Sequence, residues 1–422
     1  KEGLFALLSH QDIGGKFAKI TIAKTLCYAA SLLPEIADDI VAIDNTMKWG
    51  YNWKFGIFEL IDKIGAANLI KMAEEEKIPV PEFLTKAKDK KFYQLIDNKN
   101  NYLSLNGEYK LLPQIAGVWT LNEKKIGKQP IIKNNSATLW DIGDGVACLE
   151  FTSKMNAVDI DIIEMIEKSI ELVKKDFKGL VIGSDADNFS VGANLNVFLN
   201  AAKNQEWNII SDIIKRGQNA LMKLKYSDFP VVSALSGLAL GGGCEILLHS
   251  DAVQAHIESY PGLVEFGVGL VPAWGGCTEM LLRHKNSAKV FEYISTAKTA
   301  SSADDAIDMK ILNAKSRITM NRARLLADAK ELCLQLAVDY QAPKQENILL
   351  NDSKIDSSSL LEKTSEHDLF IYTELTKILS SNNLTEQQLL DLEHEAFMEL
   401  IKTKPTQDRI EYMLANGKAL RN

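Results

Sequence analysis

Residues 236–245 read Ser-Gly-Leu-Ala-Leu-Gly-Gly-Gly-Cys-Glu and directly follow a buried strand predicted at residues 230–234. Three consecutive glycines at the start of the next helix let another group approach the backbone closely. The N–H groups of these glycines would lie at the positive end of the helix dipole. Glu245 would stand in the first turn, either as a reactive carboxylate or as a charge that merely favours the helix start.

A second glycine turn comes earlier in the chain. Residues 188–195 read Asn-Phe-Ser-Val-Gly-Ala-Asn-Leu, after a buried strand predicted at 179–182 and before a predicted helix. Small residues at such a turn leave backbone N–H groups unpaired and suited to a developing negative charge. Taken alone, the motif more often describes an ordinary strand-to-helix turn.

A third stretch, residues 262–276, is almost entirely apolar and glycine-rich. It reads Gly-Leu-Val-Glu-Phe-Gly-Val-Gly-Leu-Val-Pro-Ala-Trp-Gly-Gly, with Glu265 as its charged residue. A carboxyl group in such surroundings is partly desolvated, which raises its pKa and suits it to proton transfer. The alternative is a loop glutamate held in a salt bridge.

The three motifs together are more specific than any one of them. Chemistry at the α-carbon of a thioester needs two N–H donors to stabilise the enolate oxygen. It also needs acid–base groups, and two carboxylates could serve a water molecule and the α-proton. The sequence supplies both requirements.

In order, spacing and residue type, these motifs resemble the crotonase (enoyl-CoA hydratase/isomerase) family. The resemblance implies an α/β crotonase-like core (a ββα spiral) with backbone oxyanion donors at Ala193 and Gly242. It also implies that Glu245 activates water and that Glu265 protonates the α-carbon. Lys154-Met155-Asn156-Ala157 resembles the early segment that contacts coenzyme A. The implied substrate and CoA contacts are Lys154, Met155, Ala157, Gly192, Asn194 and Gly241.

The implied activity is hydration of a trans-2-enoyl-CoA in fatty acid β-oxidation, with an acyl-CoA as the small-molecule partner. Isomerases and hydrolases of the family often keep only one of the two glutamates, so the presence of both favours a hydratase. The departure is Ala273-Trp274, where small residues are more usual, and it bears on the acyl-chain pocket. No metal is expected, because none of the histidines shows a metal-ligand spacing: His10, His249, His256, His284, His367 and His394.

Flanking segments extend the resemblance. Residues 42–50 and 56–60 resemble the C-terminal helical domain of 3-hydroxyacyl-CoA dehydrogenases, although Ile57 stands where that family often has proline. Residues 403–418 resemble the helical tail of fused hydratases. The chain begins at Lys1 without Met, and the whole resembles the C-terminal part of a bifunctional enzyme in which the dehydrogenase comes first. Four segments are predicted: an all-helical domain at 1–115, a linker at 116–135, the hydratase core at 136–316 and a helical extension at 317–422.

The composition of the chain limits the other functional classes to which it could belong. The net charge of -8 argues against nucleic acid. Five scattered cysteines without a CxxC pair predict the cytoplasm, and no apolar run reaches the ~20 residues of a membrane span.

A homo-oligomer is compatible with the resemblance. A GxGxxG fingerprint is missing, so no cofactor is expected in this chain and NAD only in an upstream domain. The rival hypotheses are a working NAD-dependent dehydrogenase and an interaction scaffold with an inert hydratase core.

Overall fold

The computed structural model describes residues 3–345, 347–350, 354–355 and 364–422. The chain divides into two compact units, Lys1–Ile115 and Ala116–Asn422. Within the described residues, no helix combines the length and the apolar character that crossing a membrane would require.

The first unit is mostly helical, as predicted. Its helices pack their apolar faces around one core, which includes Leu26, Phe58 and Leu69. The third helix ends at Gly50, and Gly65 follows the fourth helix with a φ of +88°. The helices are α1 (Gly3–Ser9), α2 (Ile13–Ser31), α3 (Ile40–Gly50), α4 (Ile57–Ile64), α5 (Ala66–Glu75) and α6 (Glu82–Lys86).

The prediction that residues 1–115 are all helical is wrong at the end of this unit. An antiparallel sheet of three strands is present there: β1 (Tyr93–Ile96), β2 (Lys99–Leu103) and β3 (Tyr109–Leu111). The first two strands are joined by Asp97 and Asn98, whose φ angles are +49° and +59°. Aspartate and asparagine tolerate this left-handed conformation, and two such residues in succession form the tight turn of a hairpin.

Asp44 connects two helices of the first unit. Its buried carboxylate accepts hydrogen bonds from the backbone N–H groups of Phe58 (2.8 Å) and Glu59 (3.1 Å) in the first turn of α4. Gly56, at the start of α4, packs directly against the Asp44 side chain, so a larger residue would not fit there. Asp44 therefore caps a helix from outside that helix, and burial raises its pKa to about 6.

The second unit contains a seven-stranded sheet in the order β10-β9-β8-β7-β6-β5-β4. The strands from β6 to β10 run parallel, and β5 and β6 form an antiparallel hairpin whose turn lies at residues 143–145. The predicted α/β core is confirmed, and its sheet is largely parallel. The strands are β4 (Ile132–Lys133), β5 (Ala137–Asp141), β6 (Val146–Phe151), β7 (Gly179–Ile182), β8 (Val231–Leu240), β9 (Ala252–Gly262) and β10 (Arg317–Thr319).

Helices cover both faces of this sheet. One face packs against a large core that includes residues of α8, α10 and the C-terminal helices, and the other face is covered mainly by α15. The helices are α7 (Leu121–Lys125), α8 (Ile160–Asp176), α9 (Leu195–Lys203), α10 (Trp207–Lys225), α11 (Gly242–Leu248), α12 (Gly276–His284), α13 (Ser287–Ser295), α14 (Ala303–Asp308), α15 (Leu325–Leu336), α16 (Glu366–Leu379), α17 (Glu386–Ile401) and α18 (Lys404–Asn416).

Two predicted segments belong partly to the sheet. The linker predicted at 116–135 contains α7 and β4, and the extension predicted at 317–422 begins with β10 rather than with a helix. Strands of two or three residues are too short to show alternation in a sequence. The later helices agree with the predicted helical extension, and Thr385 and Gln388 form a capping box at the start of α17. Residues 346, 351–353 and 356–363 of the predicted extension lie outside the described residues.

Candidate active site

The three sequence motifs meet at the carboxyl ends of the parallel strands. The first glycine turn follows β7, the glycine triplet follows β8, and Glu265 follows β9. Ser190 joins the first two, since its N–H donates to the Leu238 carbonyl (3.1 Å) and its carbonyl accepts from the Leu240 N–H (3.0 Å). Parallel strands bring their carboxyl ends to one edge of a sheet, which is where such folds place their ligands.

The N–H groups of Ala193 and Gly242 lie close together at this edge. A Cβ atom built on Gly242 would stand only 3.5 Å from the Ala193 nitrogen. The neighbours of Ala193 pair with Val158 instead, since the Val158 N–H donates to the Gly192 carbonyl and the Asn194 N–H donates to the Val158 carbonyl. Across the described parts of the chain, no acceptor is paired with either the Ala193 or the Gly242 N–H. The predicted oxyanion donors are thus two neighbouring N–H groups that a ligand oxygen could accept from.

Gly241 has a backbone conformation that only glycine adopts readily, with φ +50° and ψ −122°. A Cβ atom at this position would also come within 3.0 Å of the Glu265 Oε1 atom. The glycine therefore turns the chain from β8 into α11 and leaves room for the Glu265 carboxyl group beside the helix start.

Glu245 is buried in the first turn of α11, with 2% of its surface exposed. Its Oε1 atom accepts hydrogen bonds from the backbone N–H groups of Trp274 (2.7 Å) and Gly276 (2.9 Å). Burial raises its pKa to about 7, although both hydrogen bonds favour the ionised form. At neutral pH this carboxyl group is therefore close to its titration midpoint and can both accept and release a proton.

Glu265 lies in a short 3₁₀ turn at residues 265–268 and is partly buried as a residue. Its Oε2 atom is buried, and no partner donates to it from the described residues. Burial raises the pKa of Glu265 well above its usual range, and the negative charge of Glu245 raises it further. Two neighbouring carboxyl groups with different environments can divide the roles of acid and base.

Trp274 fills the space beside the predicted oxyanion donors. Its side chain is buried, and its Cζ3 atom lies 2.6 Å from the position that a Cβ atom on Gly242 would take. The same ring packs against Gly217 of α10, where a side chain would likewise collide with it. The departure noted in the sequence thus places a large ring next to Gly242.

The predicted CoA contacts lie around the first glycine turn. Lys154 and Met155 are exposed on a 3₁₀ turn, and the Ser190 hydroxyl donates to the carbonyl of neighbouring Asn156 (2.7 Å). Ala157 follows that turn, Gly192 is buried, and the Gly241 N–H donates to the Gly262 carbonyl. The Asn194 side chain caps α9 by accepting from the Asn196 N–H. Val158, the residue after Ala157, pairs with Gly192 and Asn194 on either side of Ala193, and the contact of the predicted residues with CoA stays a prediction.

A third buried carboxylate, Glu393, was missed by the sequence reasoning. It lies on α17, is fully buried, and accepts hydrogen bonds from the backbone N–H groups of Gly275 and Thr278, in the same loop as Trp274. A signal was present in the sequence: Glu393 stands four residues after Leu389 and four before Phe397, both of which are buried. A glutamate on the apolar face of an amphipathic helix is unusual and marks a specific partner.

Comparisons with known proteins agree with this arrangement. The Enoyl-CoA hydratase/isomerase family profile matches residues 141–401, more than half of the chain. An enoyl-CoA hydratase structure from Bacillus halodurans has a TM-score of 0.50 at 16% identity, with 66% of this chain and 99% of that chain covered. This likeness confirms the crotonase-like fold expected for the core.

Longer proteins are similar over almost the whole chain. A Bacillus subtilis (strain 168) protein with the name "Probable 3-hydroxyacyl-CoA dehydrogenase" is 37% identical over 450 residues, covering 100% of this chain and 57% of that protein. A Rickettsia felis protein that carries the provisional name fatty acid oxidation complex trifunctional enzyme is 31% identical, covering 96% of this chain and 54% of that protein. The chain thus spans about half the length of these relatives, and by its own sequence and fold it belongs to the enoyl-CoA hydratase/isomerase family.

Proposed function

We propose that this protein adds water across the double bond of a trans-2-enoyl-CoA to give the 3-hydroxyacyl-CoA, as a step of fatty acid β-oxidation. The observation that carries the proposal is the pair of carboxyl groups with raised pKa values, Glu245 and Glu265, beside the Ala193 and Gly242 N–H groups, to which no described residue offers an acceptor. Family membership supports the thioester substrate, since the matching family is named for enoyl-CoA hydratases and isomerases.

The reaction assigns a step to each group. The thioester oxygen accepts hydrogen bonds from the Ala193 and Gly242 N–H groups, which stabilise negative charge there as the reaction proceeds. Ionised Glu245 takes a proton from water while the water oxygen bonds to the β-carbon, and the electrons of the double bond move towards the thioester oxygen. Protonated Glu265 then donates its proton to the α-carbon. Exchange of one proton with solvent returns both carboxyl groups to their starting states.

We further propose that Trp274 restricts this site to short acyl chains. Glu245, which would activate the water attacking the β-carbon, is held by the backbone of the same Trp274 loop. In this proposal the acyl chain beyond the β-carbon would run towards the space between Gly242 and Gly217, which the indole ring occupies. A buried ring in close-packed surroundings leaves little room for additional methylene groups.

The relatives' names favour a second activity for a longer parent protein, since one of them is called a dehydrogenase. We propose that this activity needs a nucleotide-binding βαβ unit, which supplies the N–H cradle for the pyrophosphate, and the GxGxxG fingerprint of that unit is missing from this sequence. The residues 1–115 would then pack or dimerise rather than bind NAD themselves.

Replacing Glu245 or Glu265 by Gln should each lower kcat for crotonyl-CoA hydration by roughly 10²–10⁴-fold, the usual contribution of a positioned acid or base. KM should change far less, because the thioester and CoA contacts remain. The assay follows the loss of the conjugated thioester absorbance. Glu258→Gln, an exposed glutamate of β9, is the matched control and should retain wild-type turnover. Near wild-type kcat in either site variant would contradict the assignment.

Trp274→Ala should shift the chain-length preference. The wild-type protein is expected to favour crotonyl-CoA over trans-2-decenoyl-CoA, and removal of the ring should raise the ratio of kcat/KM for the longer substrate over the shorter by roughly tenfold or more. Because the ratio compares two substrates on one variant, a general loss of stability does not affect it. An unchanged ratio would show that the acyl chain leaves the site by another route.

The purified chain should form no NADH from 3-hydroxybutyryl-CoA and NAD, and calorimetry should detect no NAD binding, while the same preparation hydrates crotonyl-CoA. NADH formation by this chain would mean that residues 1–115 hold a working dehydrogenase site, although residues 3–115, as the structure describes them, contain no strand followed by a turn and a helix that could bind phosphate.

A further inference from the structure

Glu393 reaches the active-site loop from a distant part of the chain. Its Oε2 atom accepts from the Gly275 N–H (2.8 Å), and its Oε1 atom accepts from both the N–H and the hydroxyl of Thr278 (2.7 Å each). The side chain is completely buried on α17, between α10 and α12. Three hydrogen bonds on one buried carboxylate fix the position of the loop they come from.

The same loop holds Glu245 from its other side. Around the start of α12, the N–H groups of Trp274 and Gly276 point to Glu245, while those of Gly275 and Thr278 point to Glu393. Gly275 has a φ of +101°, a left-handed conformation that turns its N–H away from those of its neighbours. The first N–H groups of a helix have no partners within the helix, and here two carboxylates share them.

We propose that Glu393 is a positioning residue for the hydratase: it holds residues 274–278 so that Trp274 and Gly276 present their N–H groups to Glu245. This inference rests on the proposed hydration reaction. It assigns a role in turnover to α17, a helix of the C-terminal region outside the three sequence motifs.

Charge connects the three carboxyl groups. Burial raises the pKa of Glu393 to about 8, and the charge of Glu245 adds to that effect. Ionised Glu393 in turn raises the pKa of Glu265. Five other charged or titratable side chains lie around this loop: His249, Glu279, Lys225, Glu386 and Arg283. Lys225 pairs with both Glu279 and Glu386, while His249 and Arg283 bond to backbone carbonyls.

The test is Glu393→Gln in the otherwise unchanged chain, measured with crotonyl-CoA across a pH series. Gln keeps one acceptor oxygen for Thr278 but turns an NH₂ group towards the Gly275 N–H, so the loop should shift. We expect kcat to fall roughly 10–100-fold, as a small misplacement of a reacting group can cause, with KM changed less than about threefold. The alkaline limb of the pH profile should move to lower pH by about half a unit or more, because Glu265 loses a negative neighbour.

Glu386→Gln is the matched control, since it makes the same substitution at a buried glutamate of the same helix that bonds to Lys225 and Tyr226 instead of the loop. Its alkaline limb should stay at the wild-type position. A Glu393→Gln profile that is merely scaled down, without a displaced limb, would assign Glu393 to folding alone and overturn the proposal, as would a wild-type kcat.

Thr278→Val tests the same contact if Glu393→Gln does not fold. It deletes the hydroxyl donor to Glu393 Oε1 and keeps the side-chain volume, so kcat should fall several-fold at nearly constant KM, whereas Thr278→Ser should restore it. Full turnover in Thr278→Val would overturn the proposal. A wild-type chain that hydrates no enoyl-CoA would instead overturn the proposed function, so the two failures are distinguishable.

Discussion

The carboxylate of Glu245 sits in a buried position between the starts of two helices, where Trp274 and Gly276 donate their N–H groups to it. A buried charge without partners is expensive, so the loop that supplies these N–H groups has to be fixed. Gly276 meets this need directly, because a Cβ atom there would stand 3.0 Å from the Glu245 Oε1 atom. The arrangement of α11, α12 and the Trp274 ring follows from the requirement to stabilise one carboxylate.

The raised pKa values of the buried carboxyl groups lower the free energy of unfolding as the pH rises. The pKa of Glu245 is raised to about 7 and that of Glu393 to about 8, from the ordinary value of 4.5. Each group binds its proton more tightly in the folded chain than in the unfolded chain, so its contribution to stability is fully present below pH 4.5. That contribution is lost as the pH rises through about 7 for Glu245 and about 8 for Glu393. The site thus keeps groups that transfer protons near neutral pH, and the folded chain is less stable at that pH because of them.

The features that could be predicted from the sequence are those that local residue patterns encode. The two glycine turns and the α/β core depend on residues close together in the chain, and each of these agrees with the structure. Glu393 lies 118 residues from its partner Gly275, and no local pattern specifies such a pairing. The packing of the Trp274 ring against Gly217 has the same character, because it joins residues 57 positions apart. The small sheet at 93–111 was not predicted for another reason: its Asp97-Asn98 turn lacks the glycine that marks most two-residue hairpins in a sequence.

The central claim is that Glu245 acts ionised and Glu265 acts protonated in one reaction. The most direct test is the pH dependence of kcat/KM for crotonyl-CoA hydration by the wild-type chain, because this quantity reports the ionisations of the free enzyme. The account predicts a bell-shaped profile whose acidic limb lies near pH 7, where Glu245 titrates, and whose alkaline limb reflects the loss of the Glu265 proton. The acidic limb should disappear in Glu245→Gln, together with most of the activity. These groups should ionise between about pH 5 and about pH 9, so a profile that stays flat over this range would contradict the account.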